Sequence, residues 1–110
     1  MFIRDFGNIQ HHRGDTLKQP FKIKNGEGLD YQDYSPNLTD KIYWALMEPN
    51  QPWEQAIVKK EVKADNLILS LEPKDTVCLL PGIYYYQFKI KLSNGDVFTL
   101  TPKTSFYIME

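Results

Sequence analysis

Two adjacent histidines, His11 and His12, are the only histidines in the sequence and the first candidates for chemistry. Neighbouring side chains on an extended chain point to opposite faces, so the pair is not expected to chelate one metal ion. The single cysteine, Cys78, lies between Val77 and Leu79, without the basic neighbours that activate a thiolate. We therefore predict no metal site, a solvated loop for the two histidines, and an inert, half-buried thiol.

The carboxylates are scattered, and none lies in an apolar run of the kind that prepares a general acid. Four aspartates fall in turns or at strand starts, where solvated Asp is usual: Asp5, Asp30, Asp33 and Asp40. Gly26 and Gly28 lack the third glycine and the following helix of a phosphate-binding loop. We predict no catalytic residue and no cofactor. A hydrolase or lyase remains an alternative, and it would need His12 near Asp15 and Asp33 in one cleft.

Arg13-Gly14-Asp15 spells the tripeptide that integrin ligands display. The adhesive form of this tripeptide needs an exposed, protruding hairpin tip, whereas here it directly precedes a predicted strand. Gly, Asp and Thr in a row are typical of a turn. We interpret the segment as a turn in which Asp15 or Thr16 bonds the local backbone.

Aromatic residues outside the predicted core are the remaining signal. Trp53 lies between Pro52 and Glu54 at a loop edge, and Tyr31 and Tyr34 lie in a long predicted loop. Exposed Tyr and Trp are enriched in interfaces and in sugar-binding platforms, and they also cap the ends of cores. Capping and interface contact both remain open for these side chains.

The composition bounds the fold and excludes several classes of function. The chain has 110 residues and a mass of 12.9 kDa, which predicts a single domain over residues 1–110. A net charge of −1 argues against sequence-independent binding of nucleic acid, and no apolar run approaches the roughly 20 residues of a membrane span. Alanine is scarce, while β-branched and aromatic residues are frequent, which favours strands over helices.

Alternation of apolar and polar residues predicts about seven short strands separated by Pro- and Gly-rich turns. Strands are predicted at 16–24, 40–48, 53–60, 66–72, 83–92 and 104–109, with one more after the turn at Asn94-Gly95. The last strand is an independent element or a continuation of this hairpin past Pro102. Residues 1–13 are interpreted as a lead-in, 25–37 as a long loop, and a helix over 54–64 is the alternative to a strand there. The pattern is typical of an antiparallel sandwich.

The strand predicted at 40–48 is apolar on both faces between residues 42 and 47. Such a strand is either central and covered on both sides, or it offers its second face to a partner. In both cases Trp44 is expected in the core between two sheets.

The turn at Asn94-Gly95 sets the register of the predicted hairpin. A type I turn with a bulge at Gly95 places Phe98 opposite Ile90 and Leu100 opposite Phe88, so that the apolar sets coincide. A simple two-residue turn would move Phe98 and Leu100 to the lysine-bearing face. We therefore predict the bulged turn, with all four apolar side chains in one buried layer.

The C-terminal part of the chain carries a series of motifs that occur together in one family. They read Leu-Ile-Leu-Ser-Leu-Glu-Pro (67–73), Asp-Thr (75–76), Leu-Leu-Pro-Gly-Ile-Tyr-Tyr-Tyr (79–86), Asn-Gly-Asp-Val (94–97) and Phe-Tyr-Ile (106–108). Gly-Asp-Thr (14–16) looks like the opening of the same family. Over residues 14–108 the chain resembles the immunoglobulin-like domain at the N-terminus of upper baseplate proteins of tailed phages, which also occurs in related tail and neck proteins.

This resemblance implies an all-β, antiparallel, immunoglobulin-like sandwich of about seven strands that builds virions and performs no chemistry. Such domains attach a fibre or receptor-binding part to the baseplate as oligomers. The expected partners are other virion proteins and further copies of the chain, with neither nucleic acid nor membrane. The expected location is the virion, after assembly in the cytoplasm of a bacterial host. Because the chain ends at Glu110, a self-contained adaptor or a small decoration of head or tail is also open.

We predict that partner contacts are made by Tyr31, Tyr34, Tyr43, Trp53 and Tyr85. The alternative function is a carbohydrate-binding β-sandwich module, in which Trp53 and the loop tyrosines would stack on sugar rings.

Overall fold

The computed structural model describes residues 1–4, 6–26 and 32–110. Within these ranges the chain is all-β, with ten strands and two single helical turns. The strands are β1 (Ile9–His12), β2 (Leu17–Pro20), β3 (Ile23–Asn25), β4 (Gln32–Tyr34), β5 (Lys41–Met47), β6 (Val58–Val62), β7 (Ile68–Leu71), β8 (Gly82–Lys91), β9 (Val97–Thr99) and β10 (Thr104–Met109). A 3-10 turn spans Trp53–Gln55, and the one-turn helix α1 spans Pro73–Thr76.

The main sheet has the strand order β1-β10-β8-β5-β6, and β9 pairs with β8 beyond the end of β10. β1 runs parallel to β10, and the other pairs in this sheet are antiparallel. Two smaller antiparallel pairs, β2–β7 and β3–β4, complete the structure. Both β9 and β10 lie on the same side of β8, so β10 continues the hairpin after the interruption near Pro102.

The core lies between the main sheet and the two smaller strand pairs. Alternate residues of a strand point to the same face, and this period of two brings Trp44, Tyr86 and Phe88 into the core, where all three are fully buried. From the opposite side, the ring of Phe21 lies 4.8 Å from that of Phe88, centroid to centroid. The predicted core position of Trp44 is confirmed.

The hairpin turn has the predicted bulged form. The Leu92 amide donates to the Asp96 carbonyl oxygen at 2.8 Å, and Gly95 adopts a φ of +96° that L side chains rarely tolerate. The resulting register pairs Ile90 with Phe98, as predicted.

Phe98 differs from the prediction in its burial. Phe88, Ile90 and Leu100 are buried, but the Phe98 side chain is 40% exposed. Within the described part of the chain the three-residue strand β9 pairs only with β8, so Phe98 lies at an edge of the sheet. The buried layer therefore contains three of the four predicted side chains.

The segment interpreted as a lead-in contributes to the fold. β1 lies within residues 1–13, and Ile3 and Phe6 are buried in the core. The four residues of β1 carry no clear alternation, and they become a strand because β10 offers a backbone edge with which they pair.

Two predicted strands have different limits in the structure. The strand predicted at 16–24 divides into β2 and β3 after Pro20, whose nitrogen has no proton to donate to a ladder. The strand predicted at 53–60 begins only at Val58, after the 3-10 turn, and the alternative helix over 54–64 is wrong. In the predicted loop at 25–37, β4 pairs back with β3, while residues 27–31 lie outside the described ranges.

The helix α1 was not predicted, because a single turn is too short for a periodic apolar signal. It is held at its start by the Glu72 amide, which donates to Asp75 Oδ2 at 2.7 Å, and by the Asp75 amide, which donates to the Glu72 carbonyl oxygen at 2.9 Å. Lys60 Nζ lies 2.8 Å from the same Asp75 oxygen and ties the helix to β6.

Stability is expected to fall in alkali because Tyr86 is buried. Burial raises the pKa of Tyr86 to about 12, whereas an unfolded tyrosine ionises near pH 10. The folded state therefore retains this proton when the unfolded state has lost it. The contribution of Tyr86 to the free energy of unfolding is complete below pH 10. About 2–3 kcal/mol of it is lost as the pH rises towards 12.

Urea unfolding at pH values from 9 to 12 measures this loss. In Tyr86→Phe, the free energy of unfolding is expected to decline less steeply with pH than in the unsubstituted protein. In Tyr107→Phe, at an exposed position, the decline is expected to be the same as in the unsubstituted protein. Some decline remains in Tyr86→Phe because burial also raises the pKa of Tyr34 and of Tyr84. Equal slopes in the two variants would contradict the assignment to Tyr86.

Candidate interaction face

The outer face of the main sheet, which points away from the core, carries three of the five predicted contact residues. Tyr43 on β5 and Tyr85 on β8 alternate with buried core residues and are half-buried on this face. Trp53 is also half-buried and reaches the outer face from the 3-10 turn. Tyr43 is the register partner of Lys89, whose ammonium lies 4.9 Å from the centroid of the Trp53 ring.

Residues 48–57, here called the strap, cross the outer face between β5 and β6. Lys103 Nζ, beyond the far side of β8, donates to the Gln51 carbonyl oxygen at 2.8 Å. The Trp53 ring lies next to two ammonium groups, with Lys59 Nζ 5.9 Å and Lys89 Nζ 4.9 Å from its centroid. Cation–π contacts of this kind contribute about 0.5–1 kcal/mol at exposed sites. They hold the strap against the sheet.

The strap shows whether β5, which is apolar on both faces, is covered on both sides or offers its second face to a partner. Ala45 and Met47 are fully buried although they point away from the core. β5 is central, between β8 and β6, and its second face is covered by the chain itself. This part of the outer face is therefore not left open for a partner.

An exposed apolar patch remains at the end of the outer face that the strap does not cover. Ile83 is 53% exposed and Tyr107 is 42% exposed, and the two are direct register partners on β8 and β10. Tyr85 follows Ile83 on the same face of β8. We call these three residues the β8–β10 patch. Of these three, only Tyr85 is among the contact residues predicted from the sequence. The alternation of apolar and polar residues in β8 and β10 was the signal that could have identified Ile83 and Tyr107.

Tyr34 lies elsewhere and has a structural contact. It packs against the core, and its hydroxyl donates to Asp40 Oδ2 at 3.0 Å. Burial, followed by the hydrogen bond to Asp40 and the charge of Asp40, raises the pKa of Tyr34. Tyr31 lies outside the described ranges.

Asp40 is buried, contrary to the prediction of a solvated carboxylate. Besides the Tyr34 hydroxyl, it accepts hydrogen bonds from the amides of Asn37 at 3.0 Å and Ser93 at 3.1 Å. Two of these donors lie three and six residues before Asp40, but the third, Ser93, lies 53 positions away, and a local sequence pattern could not reveal that contact. The three bonds compensate the desolvation of the carboxylate.

The two histidines point to opposite sides of β1, as predicted, but the expected solvated loop is wrong. His11 is buried against Phe106, with ring centroids 5.7 Å apart, and its Nε2 donates to the Asp15 carbonyl oxygen at 3.1 Å. His12 is exposed, and its Nδ1 donates to a main-chain oxygen of Glu110 at 3.0 Å.

The Arg13-Gly14-Asp15 segment forms the predicted turn, between β1 and β2. The Asp15 amide donates to the His12 carbonyl oxygen at 3.1 Å, and Gly14 has a φ of +82°. The Gly14 amide donates to Thr76 Oγ1 at 2.9 Å, which docks the turn against α1.

The remaining candidates for chemistry are dispersed. Cys78 is exposed rather than half-buried, because it follows α1 on the surface. Asp33 contacts Lys24 and lies 3.7 Å from Lys22 Nζ on the β3–β4 pair. Across residues 1–4, 6–26 and 32–110, no group of three His, Cys, Asp or Glu side chains could hold a metal ion.

No protein-family model, curated protein or solved structure matches this chain. The helices among the described residues are too short to cross a membrane.

Proposed function

We propose that the chain is an immunoglobulin-like β-sandwich that acts as a non-enzymatic structural component of a tailed-phage virion. It docks onto other virion proteins, as an oligomer, through its outer face. The resemblance of residues 14–108 to phage baseplate domains suggests the setting. The observation that carries the docking role is the β8–β10 patch.

The immunoglobulin-like assignment is supported by two side-chain arrangements. Trp44 is buried on a central strand and stacks on Tyr86, with ring centroids 6.1 Å apart. Tyr84, at the start of β8, donates its hydroxyl proton to the Leu80 carbonyl oxygen at 2.6 Å. A buried Trp on a central strand and a tyrosine bonded back to the preceding corner are features of immunoglobulin-like sandwiches.

The docking role is supported by the exposure of apolar side chains on a pleated, regular surface. Ile83 and Tyr107 lie side by side, 53% and 42% exposed, with the ring of Tyr85 on the same face. Contiguous exposed apolar groups on a folded domain indicate an interaction site, and tyrosine is enriched at the centres of interfaces.

Sugar stacking is less well supported by the geometry. A carbohydrate platform needs a free aromatic ring face, and the Lys89 ammonium lies 4.9 Å from the Trp53 ring centroid. Tyr34, predicted in a loop, lies at the end of β4, and its hydroxyl donates to Asp40. Binding on a glycan array that is lost in Trp53→Ala would favour the carbohydrate-binding alternative.

The chain is expected to co-purify with phage particles. Phage particles released from a bacterial host that carries the gene for the chain are banded in a density gradient, and peptides of the chain are quantified by mass spectrometry. Enrichment with the tail proteins would support the proposal. A chain that is abundant in the lysate but missing from the banded particles would contradict it.

The β8–β10 patch is tested in the same particles. Ile83→Glu is expected to lower incorporation at least tenfold, because a carboxylate would be buried at an apolar contact. Leu38→Glu is the matched control, since Leu38 is 79% exposed in the loop before β5. Equal incorporation of both variants would remove the patch from the docking surface.

A further inference from the structure

We propose that a cleft at the β8–β9 turn end of the outer face binds a tetrahedral oxyanion, phosphate or sulfate. The cleft has a volume of about 220 Å³ and is lined by Thr39, Lys41, Tyr43, Lys91, Leu92 and Ser93. We call it the lysine cleft. It lies at the opposite end of β8 from the β8–β10 patch, and the inference does not depend on the proposed function.

Two lysines face each other directly across the strands that form the cleft. Lys41 on β5 is the register partner of Lys91 on β8. Like charges in direct cross-strand contact destabilise a sheet. Within the described ranges neither ammonium forms a salt bridge. A bound anion would neutralise both charges and convert the repulsion into attraction.

The remaining lining groups suit an anion with several oxygens. Thr39, Tyr43 and Ser93 each carry a hydroxyl that can donate a hydrogen bond. With the two lysines, five of the six lining residues carry a side chain that can donate a hydrogen bond. A tetrahedral oxyanion offers acceptors in several directions, whereas a planar carboxylate has only two oxygens. Pockets for drug-sized ligands measure about 300–1,000 Å³, so this cleft fits a single anionic group.

Three carboxylates lie near the cleft and must be considered. Asp96, in the β8–β9 turn, accepts a hydrogen bond from the Asn94 side-chain amide through its Oδ2 at 3.3 Å. Asp40 precedes Lys41, but its oxygens accept the Tyr34, Asn37 and Ser93 protons and are turned to that buried network. The bond to the Ser93 amide anchors one wall of the cleft. Glu61 on β6 is exposed and is the register partner of Tyr43. It is an acid on the outer face that would compete with the anion for the lysines.

Amide NMR titration tests the cleft. Sodium phosphate or sodium sulfate is added at constant ionic strength set with sodium chloride, and the amide signals of Thr39, Lys41 and Ser93 are followed. We expect saturable shifts with a Kd on the order of 1 mM. Acetate at the same ionic strength is expected to bind at least tenfold more weakly.

Substitutions that are expected to weaken phosphate binding, and one that is expected to strengthen it, test whether the anion binds in the lysine cleft. Lys41→Gln and Lys91→Gln are each expected to weaken phosphate binding at least tenfold, and both sites are exposed, so the fold is retained. Glu61→Gln is expected to tighten it several-fold by removing the competing charge. Lys18→Gln, at an exposed position on β2, is expected to leave it unchanged.

Phosphoserine distinguishes the source of the anion. Affinity equal to that of inorganic phosphate would assign the cleft to phosphoryl groups on larger molecules, and much weaker affinity would assign it to the free ion. Shifts that rise linearly without saturation, or that are the same in Lys41→Gln and Lys91→Gln as in the unsubstituted protein, would overturn the proposal.

Discussion

Replacing Trp44 with alanine is expected to lower the free energy of unfolding by about 3–5 kcal/mol. Trp44 is fully buried at the centre of β5, where its ring contacts those of Tyr86 and Phe106 at centroid distances of 6.1 and 5.8 Å. The substitution removes these contacts and leaves a cavity that a close-packed sheet cannot fill. A domain of this size has a total stability of about 5–15 kcal/mol, so the variant would lose a large part of it.

Urea unfolding followed by circular dichroism measures the loss, and the fluorescence of Trp53 provides a second probe in the variant. Trp44→Phe is the matched control, because it keeps an aromatic ring and removes the indole nitrogen. That Nε1 is buried without a hydrogen-bond partner among the described residues, so its removal carries little penalty. A loss below about 1 kcal/mol in Trp44→Ala would contradict the central position of this side chain.

Replacing Asp40 with alanine is expected to cost about 3 kcal/mol, which is unusually large for an aspartate. The carboxylate accepts three hydrogen bonds, from the Tyr34 hydroxyl and from the amides of Asn37 and Ser93. Without it these donors are left unsatisfied in a partly buried site, and each unsatisfied buried donor costs about 1–3 kcal/mol. The substitution also releases the connection between β4, the start of β5 and the β8–β9 turn.

Chemical denaturation of Asp40→Ala, Asp40→Asn and Asp65→Ala separates this network from the general effect of charge. Asp40→Asn keeps one carbonyl acceptor and should lose an intermediate amount. Asp65 is exposed, so Asp65→Ala should stay within about 0.5 kcal/mol of the unsubstituted protein. If Asp40→Ala were as stable as Asp65→Ala, the network would have no energetic role.

Several elements follow from local pattern alone. The alternation over 83–92 predicts β8, with the same side chains facing the core, and the run over 40–48 predicts β5 almost to the residue. The bulged turn is also a local consequence, since Gly95 adopts a positive φ, which only glycine enters without strain. In each case the determining groups lie within about ten residues of one another.

Local sequence pattern predicted only part of the candidate site. The predicted contacts Tyr43, Trp53 and Tyr85 share the outer face, but Tyr34 belongs to the Asp40 network. Residue type indicated that these aromatics were candidates, and it could not tell which of them would find an internal partner. The β8–β10 patch depends on two strands being adjacent, which neither strand specifies by itself.

The all-β class, the position of most strands and the core-facing residues of β5 and β8 could be predicted from the sequence. These properties depend on composition and on a period of two. Three contacts became visible only in the folded chain: the pairing of β1 with β10, the bond from Lys103 to Gln51 that holds the strap, and the bond from the Ser93 amide to Asp40. Each of these contacts joins residues that are about fifty or more positions apart in the chain. Local propensity does not encode the partner of a hydrogen bond between residues so far apart.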